Sequence, residues 1–401
     1  LAGAAVCLTA ILFLALSGEG RLGAERDSGA ASSGNYRLVL EREIDPNTVD
    51  TLKIDYGMTY NDVYFCPTDG EKILIREYMN FSPKENQISR VEQKEGELSV
   101  KGVKRNRFLF FSLPFLPGGG AYTEIHVPAS LAERLTDLYV RTVNGDIVSD
   151  ISFRNLEESY ASTTSGDLSL PELEAGQIQL SSTSGNVRLT RAVSETLHVS
   201  TVSGDIFLGQ SQSDTTLSTT SGNVTADRLE GDVRASTVSG DLSLGEVRGD
   251  MLFSTTSGIT HLGEGTGRFE ADTTSGDIRV EELRGNFLID STSGDVYVSD
   301  GSGCGRADTV SGDVHISLGE LTGGLNVSTT SGNAVLELPG TGSWTLDFDS
   351  VSGECSTFFD ERLHFNKRGN KASGTYGDGE NKIDVSTTSG DLRITEYEIS
   401  D

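Results

Sequence analysis

The chain is short of cysteine, of aromatic side chains and of positive charge. Its 401 residues include four cysteines without metal-ligand spacing, which argues against a disulfide framework and a zinc site. Aromatic residues make up 7% and hydrophobic residues 35%, which is thin for a large spherical core but adequate for a narrow one. Asp and Glu outnumber Lys and Arg by 60 to 32, and the formal net charge of −28 argues against nucleic acid and anionic membranes as partners.

Glycine, by contrast, is abundant and regularly placed. The 47 glycines show no three-residue period, so the chain is not collagen-like. Thirteen of them belong to a recurring phrase of the form Thr/Ser-x-Ser-Gly-Asp/Asn-apolar: Gly145, Gly166, Gly185, Gly204, Gly222, Gly240, Gly258, Gly276, Gly294, Gly312, Gly332, Gly353 and Gly390. From Gly204 to Gly312 the repeat glycine recurs at every eighteenth position without exception. Such a fixed period predicts stacked repeats that bury their apolar faces against their neighbours.

Apolar residues occupy the same positions in every repeat. Counting from the repeat glycine as position 0, position −5 is apolar in all thirteen phrases, and position +2 is apolar in all but the one with Thr260. Position +4 forms a third apolar column, and this alternation is the period of strands. A second glycine often follows nine residues later, as at Gly231 and Gly249. The sequence therefore predicts an all-β parallel β-solenoid of about 18 residues per coil, with two strands and two turns in each coil.

Polar columns flank the repeat glycine. Position −3 is Thr or Ser in every phrase, from Thr142 to Thr387, and we expect its inward hydroxyls to bond to each other or to the turn backbone. The glycine is expected to supply positive φ. Position +1 is mostly Asp or Asn, and the stacked run Asp277, Asp295 and Asp313 must repel. Water, turn N–H groups or a bound cation would relieve that repulsion. We favour turn caps, with weak calcium binding as the alternative.

The ends of the chain differ from its middle. Residues 1–17 are predicted to be a signal peptide or membrane anchor and residues 18–35 a flexible linker, which favours export. Residues 36–140 are expected to form irregular leading coils as an N-terminal cap. The regular solenoid spans 141–355, and residues 356–401 supply an insertion and a C-terminal coil or cap.

A search for chemistry finds no catalytic, cofactor or metal residues to propose. The histidines are expected at the surface, and only two share a column, three coils apart; the five are His126, His198, His261, His315 and His364. Cys355 lies in an apolar column and is predicted to be a core residue, and no Cys66–Cys304 bridge is expected. Threonines at position −2, such as Thr256 and Thr274, raise ice binding as a remote alternative.

One segment departs from the acidic character of the chain. Lys101, Lys104, Arg105 and Arg107 lead into an aromatic stretch that ends at Gly120. We expect an end cap or a buried irregular strand there, with a partner-binding or membrane-binding loop as the alternative.

Three features together resemble a known family. They are Ile125-His126-Val127-Pro128 before the repeats, the serial Ser-Gly-Asp/Asn phrase, and the run from Gly374 to Gly379 ahead of a last Ser-Gly-Asp. Over residues 45–396 the chain resembles the DUF4097 family of β-strand-repeat proteins. The resemblance implies a bacterial β-solenoid that is exported or faces the envelope and acts as an adhesin. It offers no catalytic residues to carry over.

The leading functional prediction is a non-enzymatic, exported solenoid that acts in adhesion, envelope scaffolding or polymer binding. A cell-surface glycan or an envelope protein is the expected partner, without a cofactor, and only the N-terminal segment would contact a membrane. One alternative is a membrane-anchored sensory or regulatory module, which requires an uncleaved leader. Another is a carbohydrate-active β-helix enzyme, which requires two or three carboxylates lining one groove.

Overall fold

The computed structural model describes residues 36–57, 59–103, 120–366 and 368–397. In these ranges the helices are few and short: α1 (Ala129–Ala132) and three 3-10 turns at Pro46–Thr48, Glu85–Gln87 and Asp360–Arg362. None of the helices in the described ranges is long and apolar enough to cross a membrane. The predicted leader, the linker and residues 104–119 of the basic and aromatic segment lie outside those ranges, so these predictions stand as made.

Strands make up the rest of the regular structure. The N-terminal region contains β1 (Arg37–Ile44), β2 (Thr51–Asp55), β3 (Asp62–Thr68), β4 (Ile73–Met79), β5 (Arg90–Lys94), β6 (Glu97–Lys101) and β7 (Ala121–Pro128). The middle contains β8 (Asp137–Arg141), β9 (Ile147–Ser149), β10 (Phe153–Ser162), β11 (Leu168–Ser181), β12 (Val187–Ser200), β13 (Ile206–Ser218), β14 (Val224–Glu230), β15 (Val233–Ser236), β16 (Leu242–Arg248), β17 (Met251–Thr255), β18 (Thr260–Thr266), β19 (Phe269–Thr273), β20 (Ile278–Arg284), β21 (Phe287–Ser291), β22 (Val296–Thr309), β23 (Val314–Ser317), β24 (Glu320–Thr329) and β25 (Ala334–Leu338). The C-terminal region contains β26 (Trp344–Ser350), β27 (Cys355–Thr357), β28 (Leu363–Phe365), β29 (Lys371–Tyr376), β30 (Asn381–Thr387) and β31 (Leu392–Glu396).

The strands stack into two walls that meet at the repeat glycine. The post-glycine wall holds the strand that begins at position +2, and its register runs Val224 to Leu242 to Thr260. The pre-glycine wall holds the strand before position −2, with Val233 beside Met251. All these pairs are parallel and each spans one coil. The predicted parallel β-solenoid is confirmed, with about 11 turns at a spacing of about 19 residues.

The core consists of the predicted apolar columns. Residues at positions −5, +2 and +4, such as Phe253, Leu242 and Leu244, are almost fully buried. An unpredicted column at position +7, with Val247 among its members, is also buried. It arises because residues at +5 and +6 both face outward, so the chain bends there. Cys355 is half-buried and packs against the core, and burial raises the pKa of its thiol to about 12.

The reason for the repeat glycines differs from the predicted one. Their φ values are not positive, so the expectation of left-handed backbone at position 0 was wrong. Instead, consecutive corners nearly touch, and a Cβ on Gly240 would lie 1.8 Å from the carbonyl oxygen of Gly222. Positive φ occurs at the second turn, for example at Gly231 (124°) and Gly249 (145°). Glycine is therefore required at one corner by close approach and at the other by conformation as well.

The first coil is enclosed between later parts of the chain. β2 pairs in parallel with β6 on one side and with β8 on the other. β3 is placed likewise between β7 and β9. Antiparallel strands then cover the end, because β5 pairs with β6, β4 with β7 and β1 with β4.

The other end repeats this arrangement. β30 lies between β24 and β26, and β31 lies between β25 and β27. The coil around Gly390, although last in the chain, is thus inside the coil around Gly353. The outer layer is covered by antiparallel β29 and β28. Buried Trp344 anchors an aromatic cluster there, stacking on Tyr376 at 5.0 Å between ring centroids.

Candidate functional site

The most regular outward surface is the corner ridge, which we define as the residues at positions −2, −1 and +1 in the stacked coils. Residues at −2 project from the edge, and Val202 and Val238 are 45% and 46% exposed. The serines at −1 are exposed as well. Backbone hydrogen bonds join the ridge of each coil to the ridge of the preceding coil. For example, the N–H groups of Val238 and Ser239 both donate to the carbonyl of Thr220. The ridge side chains at −2 are thus left to face solvent.

The hydroxyl column at position −3 ties each corner together from within. The hydroxyl of Thr219 accepts from the N–H of Gly222 at 3.2 Å and donates to the carbonyl of Gly204, one coil earlier, at 3.0 Å. Ser182 makes the same pair of contacts with Gly185 and Gly166. The prediction that these buried hydroxyls bond to turn backbone is confirmed. Bonding of one hydroxyl in the column to another occurs at Ser350 and Thr387.

The acidic column at position +1 forms a ladder of its own. Each Oδ1 accepts the backbone N–H of the same position in the next coil: Asn223 N–H donates to Asp205 at 2.8 Å, and Asp241 N–H donates to Asn223 at 2.9 Å. Turn N–H groups therefore relieve the stacked carboxylates, and the prediction that Asp and Asn act as turn caps is confirmed. Within the described ranges, no three or more His, Cys, Asp and Glu side chains are grouped to hold a metal ion. Calcium binding stays an untested prediction.

The ladder misses one rung. Asp241 accepts the N–H of Ile259 at 2.8 Å, but the Ile259 side chain has no oxygen to offer the N–H of Asp277. A second, shorter ladder follows the other corner, where Asp250 N–H donates to Asp232 at 3.1 Å. Farther along that corner the free thiol of Cys304 donates to Asn286 at 3.0 Å, so it is not in a disulfide.

Beside the ridge lies a shallow, open depression that we call the axial groove. It has a volume of about 340 Å³ and runs across three coils between positions −4 and −2; it is lined by Ser254, Asp272, Asp290, Thr256, Thr274 and Thr292, with Thr255, Thr273 and Ser291 at its floor. Its carboxylates are direct neighbours, because Asp272 pairs with Asp290, and Asp290 with Asp308, in adjacent strands. Arg306 forms an ion pair with Asp308.

The two groove carboxylates are electrostatically perturbed. Partial burial, followed by repulsion from Glu270, raises the pKa of Asp272 above its ordinary value. Partial burial, with Asp308 and Asp272 nearby, raises the pKa of Asp290. The sequence analysis missed this pair. The available signal was position −4, which is Ser in six consecutive coils and then Asp in three; these are Ser162, Ser181, Ser200, Ser218, Ser236, Ser254, Asp272, Asp290 and Asp308.

The histidines lie at the surface, as predicted. His198 and His364 are exposed. The other three are each paired with a glutamate: His126 with Glu124 at 3.2 Å, His261 with Glu281 at 3.0 Å, and His315 with Glu337 at 3.3 Å. The structure brings no two of them into one site, since His261 and His315 remain three coils apart.

A second cleft, of about 460 Å³, lies near the N-terminal end beside α1. The coil between Gly145 and Gly166, which is longer than the regular coils, lines part of the cleft and carries a bulge after Phe153. Asn155 in this bulge adopts positive φ (61°) and donates to the carbonyl of Glu133 at 3.1 Å. Exposed Asp69, Glu133 and Asp150 line the cleft with Arg154, whose guanidinium is already paired with Glu172.

The stacked corners, ladders and capped ends define an acidic parallel β-solenoid with a repetitive polar outer surface. The family model Toastrack DUF4097 matches residues 49–246 and 231–395, so the chain belongs to the DUF4097 family. The resemblance noted in the sequence is thereby confirmed. A search of curated proteins found no match.

Three similar crystal structures come from bacteria. A candidate cell adhesion protein from Clostridium sporogenes is 10% identical, with a TM-score of 0.18, over 90% of this chain and 99% of that one. A candidate adhesin from Parabacteroides distasonis is 14% identical, with a TM-score of 0.38, over 70% of this chain and 98% of its own. A candidate adhesin from Parabacteroides merdae is 14% identical, with a TM-score of 0.33, over 76% of this chain and 97% of its own. Likeness at this level does not identify a shared ligand.

Proposed function

We propose that this protein is a non-enzymatic adhesin-like solenoid that is exported to the cell envelope and binds an extended surface glycan along its axial groove. The observation that carries the proposal is the repetition of the same polar groups from coil to coil. Hydroxyls at −2 and carboxylates at −4 recur along the axis at the strand spacing of about 4.8 Å. A polymer with repeating hydroxyl groups can meet such a surface at several successive points.

The groove offers acceptors that the fold does not use. Oδ1 of the +1 residues is occupied by the ladder, whereas Asp272 and Asp290 stand outside it. Carboxylates and threonine hydroxyls together supply the acceptors and donors that sugar hydroxyls require. Bonds to charged acceptors are the stronger kind, so these two aspartates are expected to contribute most of the affinity.

Binding is tested with the full chain on a glycan array and by co-sedimentation with insoluble cell-wall polysaccharide. Replacing both groove aspartates, Asp272→Asn and Asp290→Asn, should weaken binding roughly tenfold or more, equivalent to about 1.4 kcal/mol. The matched control is Glu264→Gln, an exposed carboxylate on the post-glycine wall, which should leave binding unchanged. Failure of the parent protein to retain any surface polysaccharide would refute the proposal. Cell fractionation with N-terminal sequencing of the mature protein tests export.

A second candidate is hydrolysis of the bound glycan. One observation favours it: two neighbouring carboxylates line one groove, and glycoside hydrolysis uses such a pair, one as a general acid with a raised pKa and the other ionised. Release of reducing ends at a polysaccharide concentration that saturates binding by each variant, abolished by Asp290→Asn but not by Glu264→Gln, would establish this activity. Binding without release would leave the non-enzymatic proposal in place.

A further inference from the structure

The coil formed by β30 and β31 lies out of chain order. β26 and β27 precede it in the sequence, yet they form the layer outside it. The chain therefore leaves β25, passes over one layer and builds the outer layer first. Its last strands then return to fill a slot between β24–β25 and β26–β27.

The contacts between the slot and the inserted segment would be the same if the segment came from a second copy of the chain. The segment buries the side chains of Ile383, Val385, Leu392 and Ile394. At its corner the +1 ladder is continuous on both faces. Asp391 N–H donates to Asn333 at 3.0 Å, and Glu354 N–H donates to Asp391 at 2.8 Å. The segment is joined to the described fold through residues 377–380.

That connection is a tight strap across the start of β26. β29 and β30 flank β26 on opposite sides, so Trp344 is paired with Tyr376 on one side and with Asn381 on the other. Gly377 and Gly379 adopt positive φ (63° and 76°) to make the crossing. The hydroxyl of Ser343 fixes the strap by accepting the N–H groups of Asp378 at 2.9 Å and Glu380 at 3.2 Å.

We propose that residues 381–397 are exchanged between two copies of this chain, so that the last coil of each copy fills the slot of the other. The contacts in the slot are the same in both arrangements. What changes is the strap, which is short and turns tightly in the single chain and can extend when it reaches a second copy. Short hinges of this kind favour exchange, and reciprocal exchange gives a closed twofold dimer.

The exchange is decided while the chain folds. To leave a folded copy, the segment must break its ladders with β24–β25 and with β26–β27 together. An open slot during folding is filled by whichever copy of the segment arrives first, so the dimer fraction should rise with protein concentration. The inference goes beyond the proposed function, but a joined pair would present two axial grooves and would strengthen polymer binding by multivalency.

Disulfide trapping between two different full-length copies tests the exchange. The background replaces the native thiols by Cys7→Ser, Cys66→Ser, Cys304→Ser and Cys355→Ala. One copy carries Asn326→Cys and the other Asp384→Cys, positions that face each other in the β24–β30 register. We expect a disulfide-linked dimer after the two copies are refolded together, in a yield that rises with concentration. The control pair is Leu288→Cys with Arg306→Cys, neighbours within the solenoid body, which should not link.

Three further variants complete the test. A chain that carries both Asn326→Cys and Asp384→Cys should form the disulfide within itself at high dilution. Failure to form it would overturn the proposal, because residues 381–397 would then not pair with β24 in the stated register. Deleting Gly379 and Glu380 shortens the strap and should raise the linked fraction several-fold, whereas a Gly-Ser insertion should lower it. Absence of linked dimer at every concentration, with normal linking in the double variant, would also overturn the proposal.

Discussion

A methyl group at a repeat corner should separate two coils. The Cβ of Gly240→Ala would lie 1.8 Å from the Gly222 carbonyl oxygen, whereas real Cβ contacts essentially never fall below 3.0 Å. The corners must then part by more than an ångström to restore an allowed contact. The contact is with backbone, so no side chain can rotate to relieve it.

The separation would disrupt at least four of the hydrogen bonds that join this corner to the preceding coil. Val238 and Ser239 donate to Thr220, Thr237 donates to Gly222, and Asp241 N–H donates to the Asn223 side chain. At about 1 kcal/mol for each bond, the free energy of unfolding should fall by about 3–4 kcal/mol.

Urea unfolding of the full chain measures the loss. The matched control is Gly324→Ala, where the nearest atom to the new Cβ is the carbonyl oxygen of Lys382 at 3.6 Å, an ordinary contact. That variant should change the free energy of unfolding by less than about 1 kcal/mol. Hydrogen exchange at the Gly222 and Gly240 corners shows whether the damage is local, as nearest-neighbour coupling in a solenoid predicts. Equal effects of the two substitutions would refute the close-approach explanation.

Three further outcomes are expected. Ile259→Asn should supply the missing rung for the N–H of Asp277 and raise stability by about 1 kcal/mol in urea unfolding, while Ile259→Leu should not. Asp290→Asn should stabilise the protein at pH 7, because burial and neighbouring aspartates raise the pKa of this carboxyl and so penalise its ionised form in the fold. That gain should vanish below the ordinary Asp pKa of 3.8, which unfolding curves across acidic pH would reveal. Cys355, with a pKa of about 12, should react with thiol reagents at pH 8 far more slowly than an unburied cysteine; equal rates would contradict its burial.

The strands and their stacking could be predicted because a parallel solenoid places like positions on top of one another. Each core column, such as the one containing Phe253, must then be apolar in every coil, and the sequence displays this directly. The bend at +5 and +6 was missed because it breaks the alternation without a turn residue in every coil. The role of the repeat glycines was also misjudged, because the close approach joins residues of two successive coils and is not a local backbone preference.

The layer order at the C-terminus could not be read from the sequence, for a physical reason. Both the Gly353 and the Gly390 phrases carry the apolar and hydroxyl positions that a coil needs, so either could stack on the Gly332 coil. Which of the two coils lies outermost depends on the residues that cover the end of the solenoid. Trp344 and its aromatic neighbours close the outer layer together with the antiparallel strand β29. Such cover depends on tertiary packing that no repeat pattern records.

The repeat corner separates positions that the fold requires from positions at which the residue can vary. Positions −5, −3, 0, +2 and +4 are fixed by burial, hydroxyl bonding or close approach, and +1 is held by its ladder. Positions −4 and −2 lie beside them and vary from coil to coil: −4 is Ser in some coils and Asp in others, and −2 is Thr in some coils and Val in others, such as Val202. The change at −4 from Ser254 to Asp272 is therefore not a folding requirement, because the two coils share the same strand register. The fold tolerates either residue at −4, and under the binding proposal the charge that Asp272 and Asp290 place in the groove serves the ligand and not the fold.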